Sequence, residues 1–401
     1  MKAATFAPRS EGLGEIVKHE TGMLGFFLPD GSFCPLPISG GAYGTLAALD
    51  TLATLDNTTV AEFGEDRAFA EIDAALAAHN RIEAELLGDF VERTTDRLRR
   101  YGTTAEMTMD ELDEFARPDA QKVAAGTTVG FPMRLYGLSI QWTRKWFQIA
   151  RPSELAAQTA SAMDADSKVI QREIKRALFG PTNFTFVDRL TDSVSLAVKR
   201  LVNADGAAIP LGPNGESFDG ATHTHYLYTA STSLAAADLN GLIETVIEHH
   251  PTGQAMVYIN RAQETAVRGL TGFTAYLDAR LIPGGGATGT QATRNLDSFN
   301  LNDRAIGVYS AGGVSAEVWV KPWIPSGYLF AWIMGAPVPL VMRTRTPSSG
   351  NLELVADDEA HPLRARSLER EFGTAVWTRT NGAVLFVDAG AAGAYVSPSI
   401  T

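Results

Sequence analysis

The histidines of the C-terminal half are the residues whose spacing most directly suggests chemistry. His223 and His225 are two residues apart, so on a β-strand they would share one face and could chelate a metal ion. His249 and His250 are adjacent at the end of a predicted helix, where the helix dipole favours a protonated imidazole. No Asp, Glu or His at ligand spacing completes either pair. The sequence therefore predicts no metal site and no bound cofactor.

Other motifs of known enzymes are equally incomplete. Residues 284–289 read GGGATG and satisfy G-x-G-x-x-G, but a predicted helix precedes them and polar loop sequence follows, so they indicate a loop rather than a dinucleotide site. There is no Walker A, G-x-S-x-G or H-E-x-x-H sequence. The carboxylates of residues 357–359 are typical of a solvated turn. We expect no catalytic residues and no enzymatic activity.

Composition narrows the class of protein further. The chain has 401 residues, 45% of them hydrophobic, and a formal charge of −12, which argues against a broad nucleic-acid-binding face. Cys34 is the single cysteine, so neither an internal disulfide nor a cysteine zinc site is expected. The N-terminal residues carry no secretory signal pattern. The apolar stretch 327–341 is interrupted by Gly335, Pro337 and Pro339, so no membrane span is expected.

The N-terminal hundred residues divide into two parts. Residues 1–56 mix Gly and Pro with exposed aromatic residues and predict an arm that buries its apolar side chains on another surface. Residues 57–100 show helical periodicity. The arginines near the end of that segment suit the negative end of a helix dipole; they are Arg93, Arg97, Arg99 and Arg100.

The segment 103–148 changes to the period of a β-strand. Tyr136, Leu138, Ile140 and Trp142 alternate with small and polar residues. An acidic stretch, 106–114, precedes this alternation. We interpret the segment as two long antiparallel limbs that form a projecting hairpin with opposite charge on its two sides.

A long helix follows over 152–179. Pro152 and Ser153 mark its start, Gly180 and Pro181 mark its end, and apolar residues follow one stripe. The charged residues from Asp164 to Arg176 are expected to form a solvated face.

The remainder predicts alternating strands and helices. Short strands are expected at 184–187, 194–198, 207–211 and 226–228. Helices at about 239–247 and 261–280, a strand at 255–259, a loop at 283–303 and strands at about 305–310, 314–320 and 328–333 resemble a small α/β domain. Strands at 352–355, 374–378 and 383–387 close the chain, with Asn381-Gly382 as a tight turn between the last two.

The order of these parts resembles the tailed-phage major capsid proteins with the HK97 fold. Three stretches carry the resemblance: ARPSEL at 150–155, VWVKPWIPSGY at 318–328, and EFGTAVWTR followed by NGAV from 371 to 384. It implies an α+β fold with an N-terminal arm, an extended E-loop, a P-domain with a long spine helix, and an α/β A-domain.

The resemblance also implies domain boundaries. The arm and helical segment would be 1–102, the E-loop hairpin 103–148, and the P-domain 149–233 with its spine helix at 152–179. The A-domain would be 234–340, with the Gly-rich loop 283–303 near the capsomer centre. Residues 341–401 would supply the closing strands of the P-domain and the C-terminus.

The function implied is that of a virion shell. Pentamers and hexamers of the chain would assemble in the host cytoplasm into an icosahedral capsid around double-stranded DNA, without sequence-specific binding. Scaffolding, portal and decoration proteins are further partners that the resemblance allows. Some members cross-link Lys to Asn; Lys122 and Asn381 have the right types, but nothing in the sequence indicates that they meet.

Two alternatives remain open at this point. An encapsulin-like nanocompartment would share the fold and enclose protein cargo instead of DNA. A monomeric α/β enzyme or ligand-binding protein would instead use the 234–340 block and would need a polar-lined pocket.

Overall fold

The computed structural model is α+β, as the sequence predicts. The structure describes residues 17–18, 24–27, 33–35, 52, 58–88, 90–101, 109, 111–115, 117, 126–229, 231, 233–276, 304–347, 349–387 and 393–400. The predicted loop 283–303 and Lys122 lie outside these residues.

Six helices are described together with nineteen strands. The helices are α1 (Val60–Phe63), α2 (Glu65–Leu87), α3 (Arg144–Ile149), α4 (Pro152–Phe179), α5 (Ala236–Ile247) and α6 (Glu264–Arg268). The strands of the first half are β1 (Val17–Lys18), β2 (Leu24–Phe27), β3 (Phe33–Pro35), β4 (Val91–Thr94), β5 (Leu98–Tyr101), β6 (Thr127–Gly130), β7 (Arg134–Thr143), β8 (Phe184–Val187), β9 (Ser195–Val198) and β10 (Tyr226–Thr229). Those of the second half are β11 (Gln254–Ile259), β12 (Phe273–Ala275), β13 (Arg304–Ala311), β14 (Val314–Val320), β15 (Tyr328–Met334), β16 (Leu340–Arg343), β17 (Glu353–Ala360), β18 (Leu363–Val376) and β19 (Ala383–Val387).

The long helix α4 has the bounds that the sequence predicts. Pro152 occupies its first turn, where a missing N–H costs nothing. Its apolar stripe is buried from Leu155 to Leu178. The prediction that the charged residues of this helix form a solvated face is wrong in part, because Asp166 and Glu173 are buried.

A seven-stranded mixed sheet forms the second centre of the fold. Its order is β10-β19-β15-β11-β14-β13-β12, so strands from outside 234–340 complete the predicted α/β block. β15 is buried on both faces along almost its whole length, because α5 covers one face and the C-terminal part of α4 covers the other. The interior on both sides is apolar and aromatic, which is the main source of stability for such a layered arrangement.

A second large sheet of the fold has five strands. Its path is β17-β18-β16-β4, and β7 pairs with β18 over ten residues. The strand predicted at 136–143 is therefore confirmed in a longer form, Arg134–Thr143. Its partner among the described residues is β18, and most of the preceding acidic limb lies outside those residues.

Several local predictions are wrong for related reasons. The segment 88–100 contains β4 and β5 instead of helix, because Val91–Thr94 pairs in parallel with Leu340–Arg343. The predicted helix 261–280 is reduced to a 3-10 turn, Arg261–Gln263, and α6, after which β12 begins. No strand forms at 207–211. In the arm, β1, β2 and β3 form a small antiparallel sheet.

The Asn381-Gly382 turn is a further correction. β18 belongs to the five-stranded sheet and β19 to the seven-stranded sheet, so the two strands do not form a hairpin. The dipeptide instead lies where the chain crosses from one sheet to the other. Separately, none of the described helices combines the length and apolar character needed to cross a bilayer.

Candidate functional site

The strands β7, β17 and β18 form an antiparallel surface with two different faces. Alternate residues of each strand point to opposite sides. In β7, Trp142 is the one buried side chain, and the rest of its inner face is half-buried. The last residues of β17, from Asp357 to Ala360, are exposed on both sides.

Helix α2 covers the inner face through polar as well as apolar contacts. Arg364 donates to Glu65 at 3.2 Å, Arg366 to Asp73 at 2.7 Å, and Arg370 to Asn80 at 3.0 Å. Since these three arginines belong to β18, one row of cations contacts α2 from Glu65 to Asn80. Beneath them, apolar side chains of α2, α3, α4 and β7 form one core cluster; among them are Phe69, Leu76, Trp142, Phe147 and Leu155.

The outer face of the same sheet is open. Leu135 is 50% exposed and Leu363 is 44% exposed, although both are large apolar residues. Ile149, at the end of α3 and outside this sheet, is 76% exposed. Leu135 and Leu363 lie at opposite ends of the β7-β18 pairing on the same face, and covering them with another surface would be favourable.

The carboxylates at 357–359 lie on β17 and not in a turn, which corrects the sequence interpretation. Asp357 forms an ion pair with Arg364 at 3.1 Å, and Glu359 forms an ion pair with Arg144, the first residue of α3. The pKa of Asp357 is lowered, chiefly by the hydrogen bond from Arg364. These groups are parts of surface ion pairs.

Three of the histidines form a polar cluster that their spacing in the sequence did not reveal. His223 and His225 precede β10, and His249 follows the last turn of α5. The Nε2 atom of His223 lies 3.1 Å from Nε2 of His225 and 3.1 Å from Nε2 of His249. The fold thus joins the two pairs that the sequence leaves separate.

Glu248 completes this group and was missed. Its Oε1 lies 3.3 Å from Nε2 of His223 and 3.8 Å from Nε2 of His249. His250, by contrast, points away and bonds Thr380 at 3.0 Å. The adjacency of Glu248 to His249 is the only sequence signal that could have indicated it. We name His223, His225, Glu248 and His249 the histidine cluster.

Burial sets the charge state of the cluster. Desolvation lowers the pKa of His225 well below its usual value and lowers that of His249 to about 3. Desolvation also lowers the pKa of His223, and it raises the pKa of Glu248 to about 7, with the neighbouring Glu244 adding to that rise. At neutral pH, therefore, the three rings are uncharged and each has one nitrogen lone pair.

The contacts around His225 orient its ring. Its Nδ1 donates a hydrogen bond of 2.7 Å to the carbonyl of Gly382, so its Nε2 faces the other rings without a proton. Phe218 covers the outer side, with its ring centroid 4.1 Å from that of His249. The cluster is thus partly shielded from water.

Comparison with known proteins identifies a fold. No protein-family model and no curated protein matches the sequence. A chain in the solved structure of Mycobacterium phage Patience is similar, with a TM-score of 0.59 and 21% identity, over 86% of this chain and 94% of that one. The protein therefore has the HK97-like α+β fold, and that sequence prediction is confirmed.

Looser likenesses extend to two kinds of shell. The capsid of a native GTA particle has a TM-score of 0.44 and 12% identity, over 76% of this chain and 90% of that one. The SrpI encapsulin of Synechococcus elongatus has a TM-score of 0.38 and 10% identity, over 76% of this chain and 88% of that one. Both scores lie below 0.5, so neither likeness decides between the two kinds.

Proposed function

We propose that this protein is a major capsid protein, which self-assembles as pentamers and hexamers into the icosahedral shell of a tailed bacteriophage. The observation that carries the proposal is the shared fold with a chain of Mycobacterium phage Patience over 86% of this sequence. The shell would enclose double-stranded DNA, and the protein would be a non-enzymatic part of the virion. Scaffolding, portal and decoration proteins would be its further partners.

The open face of the β7-β17-β18 surface supports self-association. A monomer would keep Leu135 and Leu363 in water, whereas a neighbouring copy could cover them. Repeated contacts of this kind between identical chains generate closed symmetric assemblies. The charged pairs at the end of the surface, such as Arg144 with Glu359, would make those contacts sensitive to salt.

The net charge of the chain supports a container for DNA. A formal charge of −12 disfavours tight adhesion to a polyanion, so packaged DNA would remain free to leave. The domain boundaries given above remain part of the proposal: an arm and helical segment at 1–102, an E-loop at 103–148, a P-domain from 149–233 and 341–401, and an A-domain at 234–340.

The direct test is assembly of the full chain expressed alone. Sedimentation velocity with negative-stain electron microscopy should reveal shells, or rings of five and six subunits. A stable monomer of 43.0 kDa that forms no larger species with added salt or crowding agent would contradict the proposal. Particles that hold a protein cargo and no DNA when isolated from the native source would replace it with the encapsulin alternative.

A pair of variants tests the surface itself. Leu363→Asp places a charge on the open face and should reduce the fraction of fast-sedimenting particles. Thr252→Asp adds the same charge in the exposed turn before β11, which belongs to the seven-stranded sheet, and serves as the control. Equal assembly of both variants would remove the open face from the proposed contact.

A further inference from the structure

We propose that the histidine cluster is a structural binding site for a divalent transition metal of the zinc type, with His223, His225, His249 and Glu248 as its four ligands. No step of the proposed shell function requires this site, so it stands on the local geometry. All four ligand atoms lie within 4.8 Å of one another.

Three distances between ligand atoms are close to those of four-coordinate zinc, and the 3.8 Å from Glu248 Oε1 to His249 Nε2 is longer. With Zn–N bonds of about 2.0–2.1 Å, the corners of a tetrahedron are about 3.3 Å apart. The nitrogens of His225 and His249 each lie 3.1 Å from that of His223, and the Glu248 oxygen lies 3.3 Å from the same nitrogen. Small side-chain shifts would therefore place all four around one ion.

Hydrogen bonding among the rings alone leaves the cluster unsatisfied. Because the Gly382 carbonyl can only accept, the proton of neutral His225 is on Nδ1 and its Nε2 is a bare acceptor. The single proton of a neutral His223 ring can point at only one of the two neighbouring Nε2 atoms, so at least one of the 3.1 Å contacts is not a well-aligned hydrogen bond. A cation between the rings would instead accept the lone pairs of all three Nε2 atoms.

The hydrogen bonding of His249 bears on which of its nitrogens could bind an ion. Its Nδ1 is buried without a hydrogen-bond partner, and the side chain of His249 is 2% exposed. An ion at Nε2 would not provide Nδ1 with a partner, so this atom is not itself evidence for the ion. If Nδ1 carries the proton, the lone pair of His249 is on Nε2 and faces the centre of the cluster.

The ligand set indicates the metal and its role. Neutral imidazoles and a carboxylate suit Zn²⁺, and similar sites accept Co²⁺. Four protein ligands leave no open coordination position, which is typical of structural rather than catalytic zinc. The bond from His225 to Gly382 is the kind of outer contact that orients a ligating histidine.

Such an ion would fasten two distant parts of the chain directly and a third through the hydrogen bond of His225 to Gly382. His223 and His225 belong to the segment before β10, Glu248 and His249 to the end of α5, and Gly382 to the crossing between β18 and β19. Binding an ion only in the folded state would stabilise that state by mass action. The metal would thus lock α5 to the edge of the seven-stranded sheet.

The test measures binding of Zn²⁺ and Co²⁺ to the full chain after chelator treatment and dialysis. We expect one Zn²⁺ per chain by elemental analysis, the strong visible absorption of four-coordinate Co²⁺, and a melting temperature that rises with Zn²⁺ and falls again with chelator. A folded chain that binds neither ion would overturn the proposal.

Single substitutions assign the ligands. His223→Gln and His249→Gln should each weaken Zn²⁺ binding by more than about 100-fold, the upper range for loss of an outer-shell partner. His250→Gln, next to a ligand but bonded to Thr380, should bind as the wild type does. Equal loss in all three variants, or no loss in the first two, would contradict the assignment.

Two features of these experiments separate loss of a metal ligand from misfolding, and failure of metal binding from failure of assembly. His223 is the most exposed of the three rings, at 19%, so its variant should fold even if that of His249 does not. Circular dichroism of each variant verifies this. Metal binding is measured on the soluble chain irrespective of assembly, so its failure would leave the capsid proposal unchanged, and failure of assembly would leave the metal result unchanged.

Discussion

The side-chain amide of Asn381 makes with Ile333 the two hydrogen bonds that a paired strand residue would make. Its Oδ1 accepts from the Ile333 N–H at 2.8 Å, and its Nδ2 donates to the Ile333 carbonyl at 3.0 Å. Nδ2 also donates to the carbonyl of Pro337 at 2.8 Å. Asn381 is fully buried. It therefore ties together two places where the chain crosses between the sheets, and its amide is already engaged in three internal contacts.

We expect Asn381→Leu to lower the free energy of unfolding by at least about 2 kcal/mol, because the two buried backbone groups of Ile333 would lose their partner, as would the more exposed carbonyl of Pro337. Urea unfolding of the unassembled chain measures this. Asn214→Leu, the matched control, removes one exposed hydrogen bond of 2.8 Å to Glu216 and should change stability by less than about 1 kcal/mol. Equal stability of the two variants would show that the amide contacts contribute little.

The buried pair of Arg343 and Asp188 should be much more sensitive than a surface pair. Nη1 of Arg343 lies 2.9 Å from Oδ2 of Asp188, and Asp188 has no exposed surface. Arg343→Met leaves that carboxylate buried with Arg97 as its remaining cation, at 3.3 Å, so we expect a loss of about 3–5 kcal/mol.

The control for this pair lies two residues away. Arg345 pairs with Glu371 at the surface and its side chain is 52% exposed, so Arg345→Met should cost less than about 1 kcal/mol. Denaturant unfolding of both variants provides the comparison. Similar losses would mean that burial does not govern the contribution of these ion pairs.

Asp205 should make stability depend on pH in the acid range. Burial alone would raise the pKa of Asp205, but the hydrogen bond from Lys199 and the charge of Arg379 outweigh burial and lower the pKa to about 2. A lowered pKa in the folded state means that the contribution is present above the unfolded value of about 3.9 and is lost as pH falls towards 2.

The measurement compares unfolding free energies from pH 5 to pH 2. Asp205→Asn should remove about 1–2 kcal/mol at pH 5, allowing for solvent screening, and the difference from wild type should shrink below pH 4. Asp164→Asn, which removes an exposed carboxylate from α4, should follow the wild-type curve. A constant difference across the range would rule out ionisation of Asp205 as the cause.

Two glycines should respond in opposite ways to alanine. A Cβ on Gly373 would overlap the carbonyl group of Pro132, which is backbone and cannot move aside cheaply. We expect Gly373→Ala to destabilise the fold by about 1–3 kcal/mol. Gly241 lies within α5 with open space around it, so Gly241→Ala should stabilise by about 0.5–1 kcal/mol. Thermal unfolding of both variants tests the difference in sign.

Local pattern was sufficient for the elements whose period is strong. The stripe from Leu155 to Leu178, with Pro152 before it and Gly180 after it, determines the bounds of α4. The alternation from Tyr136 to Trp142 determines a strand in the same way. Periodicity of side chains and the backbone limits of Pro and Gly act within a few residues, so they can be recognised in the sequence alone.

Partners were decided by the tertiary structure. β7 pairs with β18, more than two hundred residues later, and Val91–Thr94 becomes a strand because Leu340–Arg343 lies beside it. Asn381-Gly382 has the residues of a hairpin turn, yet the strands on either side join different sheets. Side-chain pattern indicates which face is buried, but it does not indicate which distant segment covers that face.

The histidine cluster follows the same rule. His223 and His225 come before β10, whereas Glu248 and His249 end α5, and no spacing in the sequence relates the two pairs. They meet because α5 packs on the sheet of which β10 is the edge strand. The Gly382 carbonyl, which orients His225, lies next to them. The sequence by itself determined residue types and local structure, and the packing of distant elements determined which of those residues face one another.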